Sequence, residues 1–422
     1  MYKLIELDKD RYDEYVKNHK CKSHFLQSLA WGEFASIKKG LKPYYLGLVD
    51  DNDSILGTSL LLEKKMPLNK CYLYAPRGFV LDYKDKELVN NFTKEVVKFA
   101  KSKKAIYVKI DPDLIKQSTN YLEETSVNPD YEELFNTLKD CGFKHLGFTK
   151  NFETMQPRYT FRIDLTQDLK TIEDHFSKTT KQRISKALKL DTEVYIGGKE
   201  DVKEFYKLMD ITENRKGFSS YKEDYYEALY DIFNSSKNAK AILFMGRVNF
   251  PKTLNCLNER LDNLNNEIER IDGPDIGKSA KSKIKELTKQ RDNCLKEIEK
   301  YSNYQKQYGD SVILNGHMII EYGDKAWVLY AGNHDILSET YANYHTYVKH
   351  IEYCKNEGLR VYDQFGTIGD LSKDNPRLGL HEFKKKFGGD YVEFIGEWDY
   401  VVDPIMYFAY NKLAPLLRKV KH

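Results

Sequence analysis

The chain has 422 residues, 67 Lys and Arg against 64 Asp and Glu for a formal charge of +3, and 32 tyrosines. A balance this even excludes a global polyanion binder, so any phosphate site must be local. The length predicts two or three domains with a substantial core, and the tyrosine content excludes a disordered chain. No apolar run approaches the roughly 18 to 20 residues that span a bilayer, and Met1-Tyr2-Lys3 opens on charge rather than on a signal-peptide pattern. Six cysteines without metal or C-x-x-C spacing read as reduced thiols. A soluble cytoplasmic protein is expected, at most peripheral to a membrane.

Residues 11–18 predict a short helix, and strands follow at 43–49 and 55–63 around the turn Asp50-Asp51-Asn52-Asp53. Tyr72-Leu73-Tyr74-Ala75 leads into Pro76-Arg77-Gly78. That turn fixes the backbone and projects the Arg77 guanidinium toward a carboxylate or phosphate, although an ordinary surface arginine fits the same pattern. A helix over 87–101 and a strand over 105–111 end on Asp111-Pro112-Asp113, at the strand end where α/β layers place ligands. A lone Asp there also serves as a turn cap. Leu138 to Lys144 closes the stretch on a basic segment around Gly142.

A second unit begins near Gln156-Pro157-Arg158, with a strand over 161–165. The helix predicted over 176–189 carries Lys178, Lys181, Arg183, Lys186 and Lys189. It has the charge to follow a nucleic-acid backbone, though such helices are usually just solvated. Thr212-Glu213-Asn214-Arg215-Lys216-Gly217-Phe218 closes a helix that starts near 201, where Arg215 also suits the helix dipole. Strands over 241–248 and 312–321 read as a hairpin interrupted by a long polar insertion. Within it Leu254, Leu257, Leu261, Leu264, Ile268 and Ile271 alternate spacings of three and four. After Gly273-Pro274 the pattern resumes at Ile284, Leu287, Cys294, Ile298 and Tyr301, with Arg291 at one seam position. This predicts an antiparallel coiled-coil arm, residues 251–307, with legs on the order of 30 Å long. Such arms serve dimerisation and docking as well as RNA binding.

Val328-Leu329-Tyr330-Ala331, a helix over 341–357 stopped by Gly358, and a strand over 359–363 repeat the first-half order about 255 residues later, too long for a solenoid period. We read two related α/β domains, residues 1–150 and residues 151–250 with 308–422, against chance similarity of generic units. The second strand runs on through Gln364-Phe365-Gly366-Thr367. It is followed at 379–389 by a glycine-bounded basic loop, with Lys384, Lys385 and Lys386 between Phe383 and Phe387. Cations held there suit a phosphate or the oxyanion of an acyl transfer, while a solvated lysine run is the plainer reading. Residues 405–420 mix apolar and basic side chains. They are expected to form a terminal helix packed on the second domain, or else a basic amphipathic end resting on an anionic bilayer.

Several of these segments together resemble the Fem family of peptidoglycan-bridge aminoacyltransferases. They are Pro76 to Tyr83, Ile110-Asp111-Pro112, Gln156-Pro157-Arg158, Thr212 to Phe218, Tyr362 to Thr367 and residues 379–389. The resemblance runs over nearly the whole chain and includes the arm. It implies two N-acetyltransferase-like (GNAT-like) domains of α/β (α+β) class, with the arm inserted in the second. It also implies transfer of an amino acid from aminoacyl-tRNA to the stem peptide of a cell-wall precursor, either lipid II or UDP-MurNAc-pentapeptide. Carried over residue by residue, Arg215 holds the precursor's pyrophosphate, Phe383 and Lys384 lie at the acyl-transfer centre, and Asp111 faces the acceptor. Arg77 and Tyr330 complete the substrate-binding set. Where the family often has a lysine four residues after the tryptophan matched by Trp31, Ala35 stands, and Lys38 or Lys39 takes its place. If the arm grips tRNA, Lys278, Lys281, Lys283, Lys285 and Lys289 meet its phosphates.

An activated ester needs mainly positioning of the amine, a group such as Asp111 or the substrate itself to take its proton, and a cation such as Lys384 at the oxyanion. Replacing Lys384 by Ala is then expected to silence transfer without unfolding. No metal, cofactor or covalent nucleophile is called for. An acyl-CoA-dependent N-acyltransferase shares the fold but needs a pyrophosphate loop of R/Q-x-x-G-x-G/A type, which the sequence lacks. A non-enzymatic docking scaffold has no use for the Arg215 and Lys384 regions.

Overall fold

The computed structural model describes residues 2–19, 23–216, 221–274 and 276–413. Two mixed sheets organise them. The seven-stranded sheet runs in the order Lys3–Glu6, Lys42–Val49, Ile55–Met66, Lys70–Ala75, Ala105–Ile110, Trp398–Val401, Lys144–His145. The nine-stranded sheet opens with Thr192–Gly197, Ala239–Asn249, Ser311–Tyr322, Lys325–Asn333 and Val361–Thr367. It continues through Tyr159–Asp164 and Asp390–Phe394 to Ile115–Thr119 and Thr125–Val127.

Each sheet begins with four antiparallel strands. A helix then crosses over to a fifth strand parallel to the fourth. The internal repeat is therefore a shared strand order. The first crossover helix, Lys86–Ser102, is capped by Asp85, which accepts from the Leu88 amide at 2.9 Å. It buries Val89, Phe92, Val96 and Ala100, spaced three and four apart, on Leu73, Val108 and Ile110. Burial of each large side chain is worth about 1.5–3 kcal/mol. The second crossover helix, Ala342–Asn356, packs Tyr347, Val348, Ile351 and Cys354 on Ala326, Val328 and Tyr362. A third core joins the two halves: Phe25, Trp31, Phe34 and Tyr45 lie in one cluster with Phe205, Tyr225, Phe233 and Trp327.

Strand pairing crosses the division expected at residue 150 twice. Ile115–Thr119 and Thr125–Val127 leave the first half to edge the second sheet, fixed there by Lys116 against Glu393 at 2.9 Å. Trp398–Val401 returns to the first sheet, where Trp398 is fully buried against Phe135 and His145. That return corrects the terminal helix as well. Pro404–Phe408 lies on the first sheet rather than on the second domain, with Tyr407 against Tyr107 at 5.5 Å between ring centres and Lys70 bridged to Asp403 at 2.8 Å. Residues 414–420 of the expected tail lie outside the described residues.

Asn249 pairs with Ser311 at the base of the insertion. From there helices Phe250–Ile271 and Lys278–Tyr308 run antiparallel. Cys294 Sγ meets the Leu257 carbonyl at 3.2 Å, and Lys283 meets Glu267 at 2.8 Å farther out. Leu257, Leu264, Leu287, Cys294 and Tyr301 are buried between them. No described helix is long and apolar enough to cross a membrane.

Candidate functional site

The second crossover opens at one end. Lys325–Asn333 and Val361–Thr367 pair only through Lys325↔Val361, Ala326↔Tyr362 and Trp327↔Asp363. Beyond Asp363 the strand bends, with Phe365 at a left-handed φ of 59°. Lys384 holds the bend. Its Nζ donates to the carbonyls of Gln364 at 2.6 Å, Phe365 at 3.0 Å and Gly366 at 2.8 Å, and Gln364 Nε2 donates back to the Lys384 carbonyl at 3.2 Å.

The basic segment is thus a short helix, Leu378–Lys385, rather than a loop, and Lys384 is buried at 6 % exposure rather than solvated. Burial pulls its pKa down to about 7, with Asp363 acting the other way. Three carbonyls occupy the three N–H groups of an ammonium. An oxyanion nearby would therefore meet its charge and not a free N–H. Removing the side chain takes a buried donor from all three carbonyls and leaves only that of Phe365 a second one, Thr160 Oγ1 at 3.0 Å, which argues against the expectation that Lys384→Ala folds normally. Lys385 points out to Glu123 at 2.7 Å, and Phe383 is half-buried against Tyr344 and Tyr347.

A polar seam links this bend to the first half. Arg162, on Tyr159–Asp164, pairs with Asp363 and with Asp113, each at 2.8 Å. Asp363 also accepts from the Phe365 amide at 2.7 Å and from Thr160. Burial opposes ionisation of Asp113, but Arg162 beside it holds the carboxyl well below its usual range.

Two residues away, Asp111 is 3 % exposed and accepts from the Tyr74 hydroxyl at 2.8 Å and the Arg77 amide at 2.7 Å. Burial lifts its pKa to about 7, against the pull of Arg77. One lone pair remains on each of its oxygens. Arg77 does not project outward: its guanidinium donates to the Pro157 carbonyl at 2.6 Å, lies 4.3 Å from the centre of the Phe394 ring, and is 4 % exposed as a residue. The first-half turn is thereby fastened to the second half.

Tyr330 and Lys38 each contact one helix elsewhere on the same interface. The Tyr330 hydroxyl lies 2.9 Å from that of Tyr225, on helix Glu223–Asn234. Lys38, on helix Leu29–Lys39, bridges to Asp224 of that helix at 2.8 Å. Ala35 is fully buried, which leaves no room for a lysine. Lys39 lies over the Trp31 ring, where burial pulls its pKa to about 8. Arg215 is exposed at the last turn of Val202–Lys216, and the expected Gly217-Phe218 lies outside the described residues. Lys278, Lys281, Lys283, Lys285 and Lys289 are exposed along the second leg of the arm.

Lys384, Asp111 and Arg77 thus belong to one connected seam, Tyr330 and Lys38 to a neighbouring aromatic corner, and the arm lysines to neither. Sequence reading missed the centre of the seam, Arg162 with Asp113 and Asp363. Its only signal was a charge at an inward position of a strand, Phe161-Arg162-Ile163. His24 was missed too. It is buried, and burial first, then Arg77, Arg162 and Lys325, hold it neutral against the pull of Asp113.

Three comparisons place the chain among known proteins. Lipid II:glycine glycyltransferases of Staphylococcus epidermidis and Staphylococcus aureus are 29% and 28% identical to it, over 99% of this chain and 97% of each relative. A crystal structure of FemX shares the mixed α/β fold, with a TM-score of 0.81 at 27% identity over 96% of this chain and 98% of that one. The family model described as FemAB matches residues 7–414, so the chain belongs to the FemAB family.

Proposed function

We propose that this protein transfers an amino acid from aminoacyl-tRNA to the side-chain amine of the stem peptide in a peptidoglycan precursor, building the interpeptide bridge. The observation that carries the reading is the full-length match to lipid II:glycine glycyltransferases. It makes lipid II the acceptor to test before UDP-MurNAc-pentapeptide, and glycyl-tRNA the first donor. We read the two sheets as GNAT-like units and the helical hairpin as a coiled-coil arm for tRNA.

In this reading the acceptor nitrogen attacks the ester carbonyl, the bond to the ribose oxygen breaks, and that oxygen leaves with a proton. Asp111, whose pKa burial lifts to about 7, takes the one proton lost by the neutral amine and returns it to that ribose oxygen. Lys384 holds the carbonyls of residues 364–366 in place and offers its charge to the oxyanion, with Phe383 beside it. Arg215, Lys38 and Tyr330 hold the precursor, and Arg77 keeps the two halves in register. The positioning of two bound substrates supplies most of the rate.

The test is to offer the purified protein lipid II in detergent, a panel of charged tRNAs and acetyl-CoA, and to follow donor consumption and product mass. Amino-acid addition that depends on charged tRNA is expected. Acetyl-CoA consumption, or no modified precursor with any donor, overturns the reading.

A further inference from the structure

One end of the seven-stranded sheet is crowded with lysine. There Lys42–Val49 starts, Ile55–Met66 finishes, and Lys70–Ala75 and Ala105–Ile110 start. Lys42, Lys64, Lys65, Lys101 and Lys104 are exposed at that end. The acids beside them are engaged: Glu63 accepts from the Tyr44 hydroxyl at 2.8 Å, and Asp403 pairs with Lys70 at 2.8 Å.

The same end carries large apolar side chains in the open. Leu68, at the turn between two strands, is 78% exposed, and Ile405 and Phe408, on the C-terminal helix, are 81% and 61% exposed. The Lys70–Asp403 bridge brings the two segments together, because Leu68 is two residues from Lys70 and Ile405 two residues from Asp403. Tyr407 ties the helix down, with its ring on Tyr107 and its hydroxyl donating to Asp399 at 2.8 Å. Tyr107 in turn stacks on Tyr72 at 5.1 Å. The helix thus turns a tyrosine inward and its isoleucine and phenylalanine outward, the reverse of a helix facing water.

We infer that this end of the sheet docks on an anionic lipid bilayer, with Leu68, Ile405 and Phe408 entering the headgroup region and the lysines around them facing lipid charge. A second copy is the poorer occupant, because two faces this basic repel each other. The inference deepens the proposed use of a lipid-linked acceptor. Helix Leu29–Lys39, which carries the phosphate contact assigned to Lys38, ends three residues before Lys42, so the assigned contact adjoins the docking face.

The experiment is co-sedimentation of the full chain with vesicles of phosphatidylcholine alone or mixed with phosphatidylglycerol. Salt-sensitive binding to the mixed vesicles alone is expected. The double variants Lys64→Glu/Lys65→Glu and Leu68→Asp/Phe408→Asp should each weaken it by roughly tenfold or more. Both variants should keep the parent Tm and its transfer to a water-soluble precursor without the lipid. A parent protein that stays in the supernatant, or variants that sediment with it unchanged, overturns the inference. So does a dimer that Leu68→Asp/Phe408→Asp dissolves, which assigns the face to a second copy. Vesicle binding by a protein that transfers nothing to any precursor overturns the transferase reading and leaves the docking face standing.

Discussion

In the first crossover, pairing of Lys70–Ala75 with Ala105–Ile110 runs to Ala75↔Ile110. Asp111 then takes the Arg77 amide just past the strand end, so the two strands stay closed. In the second, pairing stops at Trp327↔Asp363, the strand bends at Phe365, and three carbonyls turn to the Lys384 ammonium. One topology is closed by a carboxyl in one half and held open by a cation in the other. Parting two parallel strands strands backbone groups that must find partners. A buried lysine supplies those partners and leaves positive charge at the opening, where an acyl transfer needs it.

Removing that cation is the strongest way to break the contrast. Lys384→Met keeps the volume but takes a buried donor from three carbonyls, of which that of Phe365 keeps Thr160 Oγ1 at 3.0 Å, and should lower unfolding free energy by about 2–4 kcal/mol in urea titration. Single-turnover transfer should fall on the order of 1,000-fold. Parent-like stability would mean that the opening does not depend on the lysine.

The closed crossover should respond in the opposite sense. With a folded pKa near 7 against the usual 3.8, Asp111 retains a proton in the folded state between those values. Its contribution to stability therefore falls as pH rises from about 4 to 7. Lys384, near 7 when folded against 10.5 when free, binds fewer protons in the folded state above pH 7, so its contribution rises from about 7 to 10. Asp111→Asn should flatten the first limb and leave the protein no less stable at pH 8. It should also lower kcat/KM roughly 100-fold and remove an acid limb near pH 7. An unaltered pH profile would hand the proton to the substrate instead.

What could be read from the sequence divides along the same line. The crossovers, their helices and the interrupted hairpin were legible because each is a local pattern: apolar residues at helical spacing, strand runs and glycine stops. The exchange of strands between sheets was not. Ile115–Thr119 and Trp398–Val401 are short, and the strands that bring them into their sheets, Asp390–Phe394 and Ala105–Ile110, lie far away in sequence. The lysine at the centre was legible as chemistry but not as environment, because three adjacent lysines look alike until one faces a bent strand. Asp113, Arg162 and Asp363 each looked ordinary alone, and only folding places the guanidinium between two carboxylates.

The arm sharpens the comparison by separating binding from opening. Leu190, Leu337 and Ala342 of the second half lie in one core with Phe250, Leu257 and Cys294 at its base. A cut at residue 252 would open that core, so the cut belongs farther out. Replacing residues 262–290 by a short glycine turn removes all five candidate phosphate contacts and should leave Tm within a few degrees. KM for aminoacyl-tRNA should rise roughly 10- to 100-fold and lose much of its salt dependence, with precursor KM unchanged. An unchanged donor KM with a smaller oligomeric mass would make the arm a dimerisation device.

Arg215 gives the smallest and most local effect. Its helix is fastened to the strand that leaves the open pair: Thr212 Oγ1 accepts from the Asn333 amide at 2.8 Å and donates to the Asn333 carbonyl at 3.1 Å. Arg215 therefore stands on the open half, whereas Lys38 reaches the interface from the closed half through Asp224. In Arg215→Ala the helix loses one favourable charge at its C-terminal end, about 0.3–1 kcal/mol, and Tm should barely move. If the guanidinium holds a pyrophosphate, KM for the precursor should rise roughly tenfold with kcat and donor KM unchanged, the pattern of lost uniform binding. Lys38→Ala should act on the same constant. If both side chains grip one pyrophosphate, the double variant should depart from the product of the two single effects. Independent effects would place the two cations on separate groups of the precursor, and an unchanged precursor KM in Arg215→Ala would leave that residue only its part in ending the helix.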